Sequence, residues 1–143
     1  MKTKITILGV ITMVALFAGA CSAALGTPKQ TTIGVNYDEF AQQKNISKEV
    51  TIPLGSELIV ELPSNPSTGF SWTEADIADT TVIKLDESKY VAPEGQVVGA
   101  AGKQVWTFTA SEKGTSTVEM QYSRSWEGGE KAEWTFALTV TVQ

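Results

Sequence analysis

The sequence predicts an all-β protein, an immunoglobulin-like β-sandwich of about seven or eight short strands, and three observations predict it. From about Ile46 onward, apolar residues recur with a period of two. Turn formers punctuate the chain at short intervals, as Pro53-Leu54-Gly55, Pro63-Ser64-Asn65-Pro66, Lys113-Gly114 and Gly128-Gly129. A long helical period is absent: Tyr37–Lys44 and Glu74–Asp79 each suit a single helical turn, and neither is long enough to shape the fold.

Taken in order, the first strands fall at Lys48–Ile52, Ser56–Leu62 and Phe70–Thr73, each a β-rich run between breakers. A weaker one covers Thr81–Leu85, with Asp86-Glu87 read as a solvated loop behind it. Trp106, Phe108 and Ala110 then alternate with Thr107, Thr109 and Ser111, and Val118, Met120 and Tyr122 with Thr117, Glu119, Gln121 and Ser123. The last strand is the most regular. Ala132, Trp134, Phe136, Leu138, Val140 and Val142 form one face, against Lys131, Glu133, Thr135, Thr139 and Thr141 on the other. Such strands have one buried face and one wet face, and about 100 residues of them supply one hydrophobic core.

The N-terminal segment reads differently. Lys2 and Lys4 precede an uncharged apolar run from Ile5 to Ala20, the form of a secretory signal, so residues 1–20 are an address rather than structure. The run ends Ala18-Gly19-Ala20-Cys21, which resembles the bacterial lipobox at which the new N-terminal cysteine is acylated. Cys21 is therefore expected to carry a lipid anchor to the membrane, or the chain to be secreted if the box is not used. Residues 21–45 are expected to form the anchor and tether, and 46–143 the domain.

Composition narrows the function. The 143 residues hold 11 basic and 16 acidic groups; without Lys2 and Lys4, nine face 16, a formal charge of −7 that repels nucleic acid. There is no histidine, and the only cysteine is at the expected anchor, so neither a Cys/His nor a Ser/His/Asp nucleophile can be assembled. No pair among the acidic residues is singled out for hydrolysis, and no metal or cofactor is expected. The chain is expected to be a monomeric binding protein rather than an enzyme.

Three loops carry the remaining information. In Leu62-Pro63-Ser64-Asn65-Pro66-Ser67-Thr68-Gly69-Phe70, Pro66 fixes one φ, Asn65 before it is pushed toward extended geometry, and Gly69 is free to take positive φ. That combination holds either a preformed docking loop or an ordinary tight turn packed on Phe70 and Trp72. The second, Gly99-Ala100-Ala101-Gly102, has side chains small enough for close backbone approach, and equally suits a linker. The third, Arg124-Ser125-Trp126, lies beside the Gly128-Gly129 turn. Trp126 there is either a binding anchor or a continuation of the apolar face, and its place at the turn favours the anchor.

In this order on a small sandwich, the loops resemble those of the chagasin family of inhibitors of papain-like cysteine proteases. The family's first loop reads Asn-Pro-Thr-Thr-Gly and then an aromatic, against Asn65-Pro66-Ser67-Thr68-Gly69-Phe70 here. Its second is Gly-x-Gly-Gly, against Gly99-Ala100-Ala101-Gly102, and its third Arg-Pro-Trp, against Arg124-Ser125-Trp126. The likeness spans about residues 48–142. It implies a reversible inhibitor whose first loop sits over the catalytic cysteine, flanked by the other two. Ser67 and Thr68 would supply polar contacts near the catalytic pair, and Trp126 aromatic area against the cleft wall. Three departures stand out: Ser67 keeps the hydroxyl of Thr, Ala101 adds a methyl, and Ser125 in place of Pro loosens the third loop, which should lower affinity. The competing function for the same fold is a lipid-anchored module that binds glycan or an envelope partner through the aromatic loop tips, Trp126 foremost.

Overall fold

The computed structural model describes residues 27–95 and 98–143. The expected signal segment, residues 1–20, and Cys21 lie outside them. Among the described residues, nine strands form two sheets, and one short helix lies between the first two strands. In chain order they are β1 (Gln30–Gly34), α1 (Tyr37–Gln42), β2 (Asn45–Ile52), β3 (Glu57–Ser64), β4 (Phe70–Trp72), β5 (Asp76–Ile77), β6 (Ile83–Val91), β7 (Gly102–Ala110), β8 (Gly114–Arg124) and β9 (Trp134–Val142). One sheet has the order β1-β3-β7-β6. The other runs β2-β9-β8-β4, with β5 also on β8. β1 pairs parallel with β3 and β2 parallel with β9, and the remaining pairs are antiparallel.

The period of two becomes the core. β9 buries Trp134, Phe136, Leu138, Val140 and Val142, and β8 buries Val118, Met120 and Tyr122. Facing them across the sandwich are Leu58, Val60 and Leu62 from β3 and Trp106, Phe108 and Ala110 from β7. The alternation expected to begin at Ala132 starts two residues later. Ala132 is exposed with φ 52°, and its N–H goes to the buried hydroxyl of Ser123 at 2.8 Å, so the chain is still turning there.

Two further expectations are corrected. Asp86 and Glu87 are not in a loop. They lie in β6, at a β-bulge between Leu85 and Glu87, with Thr109 Oγ1 donating to Asp86 at 2.5 Å. β6 is an edge strand exposed along most of its length, so it carries charges in place of alternation and gives no period to read. Glu74–Asp79 is also no helical turn: Asp76–Ile77 forms β5.

The larger correction concerns the tether expected over residues 21–45. Residues 30–44 belong to the sandwich. Thr31 to Gly34 lie in register with Leu58 to Glu61, Val35 N–H continues that ladder to Glu61 O at 3.1 Å, and Val35 is buried. α1 then crosses from one sheet to the other. A capping box starts it: Asn36 Oδ1 accepts from Glu39 N–H, and Glu39 Oε2 from Asn36 N–H, both at 2.9 Å. Only one residue of this six-residue helix is buried, but it is Phe40, entirely so, stacked on Trp134 at 5.0 Å and tilted on Trp72 at 5.5 Å. One aromatic plug closes one end of the core. A helix of this length has no period to detect, which is why it reads as a tether.

Candidate functional site

The strand directions decide where the loops meet. β1 and β3 run parallel, and α1 and the first loop follow their C-terminal ends. β7 starts opposite the end of β3, with Gly102 facing Ser64, so the second loop opens at the same end. Phe70 of β4 pairs with Arg124, the last residue of β8, which brings the third loop there too. All three loops and α1 therefore share one end of the sandwich.

The first loop is a single 3-10 turn, Pro66–Thr68, closed by Gly69 in the left-handed region at φ 79°. Asn65 is extended at φ −131°, as the following proline requires. Asn65 O accepts from Thr68 N–H at 3.1 Å and Thr68 Oγ1 at 2.7 Å, and Pro66 O accepts from Gly69 N–H at 3.0 Å. Ser67 Oγ donates to Asn65 Oδ1 at 2.5 Å. Both hydroxyls thus donate inward and hold the turn, leaving only their acceptor lone pairs for a partner. Pro66, Ser67 and Thr68 are exposed.

Beneath the turn lies an aromatic platform. Phe70 stacks on Tyr122 at 5.3 Å, Tyr122 on Trp134 at 4.8 Å, and Trp72 tilts against Tyr122 at 5.1 Å. Their polar atoms fix the loop from below: Tyr122 Oη accepts from Asn65 N–H at 2.8 Å, and Trp72 Nε1 donates to Pro63 O at 2.9 Å. The alternation marks Tyr122 as core, but no sequence signal assigns its hydroxyl this anchoring role.

The three loops also touch one another. Asn65 Nδ2 donates to Gly99 O at 3.2 Å, joining the first to the second. Gly99 and Ala101 are exposed and Ala100 half-buried, whereas Gly102 already lies in β7, where a Cβ would run into Val91 O and the Tyr90 ring. Residues 96 and 97, just ahead, are outside the described ones. Arg124 Nε donates to Thr68 O at 3.4 Å, joining the third loop to the first. Its guanidinium lies 4.5 Å from the Phe70 centroid and 5.6 Å from Trp126, with Nη1 on Glu130 at 3.2 Å. Sequence reasoning places Arg124 at a free loop tip. The structure has it as an internal brace.

Trp126 is 52% exposed, so it does not continue the apolar face of β8. Its ring lies flush against Gly69, so closely that any Cβ there would overlap it. Ser125 beside it is exposed. Among the described residues, the exposed large hydrophobics are Tyr37, Leu54, Tyr90, Val98 and Trp126. Four of the five lie at the loop end, and only Leu54, in the β2–β3 turn, does not. Tyr37, edge-on to Trp134 at 5.3 Å, walls a cleft of about 320 Å³ between α1 and the first and third loops, shared with Phe70, Arg124 and Glu130.

These features define an immunoglobulin-like β-sandwich in which three loops from separate strand pairs are braced against one another at one end. The chain belongs to the chagasin family: residues 51–140 match the model of the Chagasin family peptidase inhibitor I42. The family consists of inhibitors, not enzymes. Chagasin of Trypanosoma cruzi is 31% identical over 83 residues, covering 55% of this chain and 74% of chagasin. Amoebiasin-1 of Entamoeba histolytica is 28% identical over 103 residues, 71% of this chain and 96% of its own. Among solved structures, a cysteine protease inhibitor from Entamoeba histolytica shares the fold at a TM-score of 0.64 and 21% identity, over 82% of this chain and 100% of its own. PbICP-C, solved in complex with falcipain-2, does so at 0.54 and 16%, over 80% and 99%. The β1–α1 segment precedes the residues matched to the family model.

Proposed function

We propose that this chain inhibits papain-like cysteine proteases as a monomer, inserting the three loops into the substrate cleft with Asn65–Gly69 central and Trp126 against one wall. The observation that carries this is the gathering at the loop end of Tyr37, Tyr90, Val98 and Trp126, four of the five exposed large hydrophobics among the described residues, with the Trp126 ring against Gly69 and Arg124 beside it. Exposed apolar area concentrated on one face marks a docking surface. About 800 Å² per partner is the expected burial for such an interface.

The first loop suits occupation without cleavage. A protease acts on an extended peptide, and Pro66–Thr68 is a 3-10 turn. The carbonyls of Asn65, Pro66 and Thr68 accept hydrogen bonds from the chain's own N–H or hydroxyl groups, which holds them in the turn rather than in the extended geometry of a substrate. Rigidity also limits the entropy lost on docking.

Titration of residues 22–143 against papain with a fluorogenic peptide tests this. Competitive, stoichiometric inhibition at nanomolar concentration is expected, with Trp126→Ala weaker by about 2 kcal/mol, roughly 30-fold. A folded domain without effect at tens of micromolar refutes the proposal, and would turn attention to glycan. We also propose that Cys21 is acylated and that the residues between it and β1 tether the domain to a membrane. Loss of the membrane-bound fraction in Cys21→Ser, on expression of the full chain in bacteria, is the expected result; unchanged fractionation overturns it.

A further inference from the structure

The third loop lacks the proline of the family pattern, Ser125 standing in its place, and yet its backbone is fastened. Arg124 N–H donates to Glu130 O at 2.8 Å and Gly129 N–H to Trp126 O at 3.1 Å. Across the loop lies Lys131. Its ammonium donates to the carbonyls of both Arg124 and Trp126, the latter at 3.1 Å, so one side chain bridges the two residues that flank Ser125. Among the described residues Lys131 forms no ion pair, unlike Lys44, Lys48, Lys89 and Lys103. Two of its three donors are directed at backbone instead of at a carboxylate. The next residue is Ala132, at φ 52° the only non-glycine with positive φ among the described residues, and its N–H is held by Ser123 Oγ. A left-handed alanine persists where its surroundings enforce it.

We propose that Lys131 is the positioning residue of the third loop. By two charge-assisted hydrogen bonds it does what a proline does by fixing φ: it holds Trp126 against Gly69 before a partner arrives. Bonds from an ionised donor are the stronger kind. A loop ordered in advance gives up less freedom on binding. Lys131 has no protease contact in this account. It acts through Trp126, so its effect on inhibition rests on the function proposed above, while the brace itself is a property of the free protein.

Two variants separate the possibilities. Lys131→Met keeps the length of the stem without donors, and Lys131→Arg keeps both charge and donors. Amide exchange of Gly129 is measured in the free proteins, and affinity for papain is measured with and without Trp126→Ala. In Lys131→Met, Gly129 exchange should quicken and papain affinity fall, each about tenfold, with little change in the thermal midpoint. Lys131→Arg should retain most of both. With Trp126→Ala present, adding Lys131→Met should change affinity less than about twofold, since residues acting as one unit are not additive. Unchanged Gly129 exchange in Lys131→Met overturns the brace, whatever papain does. Equal losses with and without Trp126 overturn the route through that residue. If the wild type does not inhibit, the functional proposal fails, and exchange alone decides whether Lys131 holds the loop.

Discussion

Gly69 offers the sharpest perturbation, because two independent costs meet at one position and a control carries only one of them. Gly69 sits at φ 79° with the Trp126 ring inside the volume of a Cβ; Gly55 sits at φ 77° with nothing within 4 Å, at the opposite end of the sandwich. Alanine at either site takes on left-handed strain of about 1–2 kcal/mol. At Gly69 the methyl must also displace the indole from its seat on the first loop. The strain lowers folding stability in both variants, whereas the displacement changes the docking face of only one. Urea unfolding should therefore show a loss of about 1–2 kcal/mol for Gly55→Ala and at least as large a loss for Gly69→Ala. Inhibition of papain should be near wild type for Gly55→Ala and weaker by roughly tenfold or more for Gly69→Ala. In a Trp126→Ala background the affinity penalty of Gly69→Ala should nearly vanish. Equal inhibition by the two glycine variants would refute the reasoning, since it would mean that the Trp126 seat on Gly69 has no part in docking.

Three further outcomes follow from particular contacts. Phe40→Ala, which empties the plug at the loop end, should lose about 3–5 kcal/mol in urea unfolding; a loss below 1 kcal/mol would return α1 to the status of a tether. Tyr122→Phe leaves Asn65 N–H without its acceptor and should lose about 1 kcal/mol of stability, with limited proteolysis at the first loop becoming faster; an unchanged cleavage rate would show the hydroxyl to be dispensable. Glu39 is held below the usual carboxylate range, chiefly by the Asn36 N–H of its capping box; desolvation opposes this, and Lys48 adds smaller lowering contributions. A lowered folded-state pKa means that this contribution is complete above the ordinary glutamate value of about 4.3 and is lost as pH falls through the lowered one. The melting-temperature gap between wild type and Glu39→Gln should thus be constant at neutral pH and close only in acid; a gap that persists through the acid range would contradict the capping assignment.

How much of this was legible in the sequence depends on whether a residue's role repeats. β8 and β9 alternate over many positions, so Val118, Met120, Phe136 and Leu138 announce their burial by period alone. β6 has the same backbone but lies at a sheet edge with both faces largely wet, and past Leu85 it leaves no pattern. β1 and α1 fail for another reason. Their structural value rests on Val35 and Phe40, two residues in a stretch of polar and small ones, and no periodicity attaches to a single buried aromatic. Only the parallel pairing of β1 with β3, a long-range event, makes the segment part of the domain.

The same distinction runs through the candidate site. Local chemistry fixes the first loop: Pro66 and Gly69 impose their dihedrals on their neighbours, and the resulting 3-10 turn needs little from the rest of the chain. The third loop has no such local instruction once Ser125 replaces proline, and from the sequence it reads as loosened. Its order is supplied from farther along, by Lys131 on the carbonyls of Arg124 and Trp126 and by Gly69 as a seat for the indole. A lysine beside a Gly-Gly turn looks like any solvated charge. What separates it from the others is that its partners are carbonyls and not carboxylates, a difference that exists only once the loop has folded over it. A loop can therefore lack the residue that would stiffen it locally and remain ordered, provided that a nonlocal brace takes its place; Lys131→Met is the substitution that asks whether this one has.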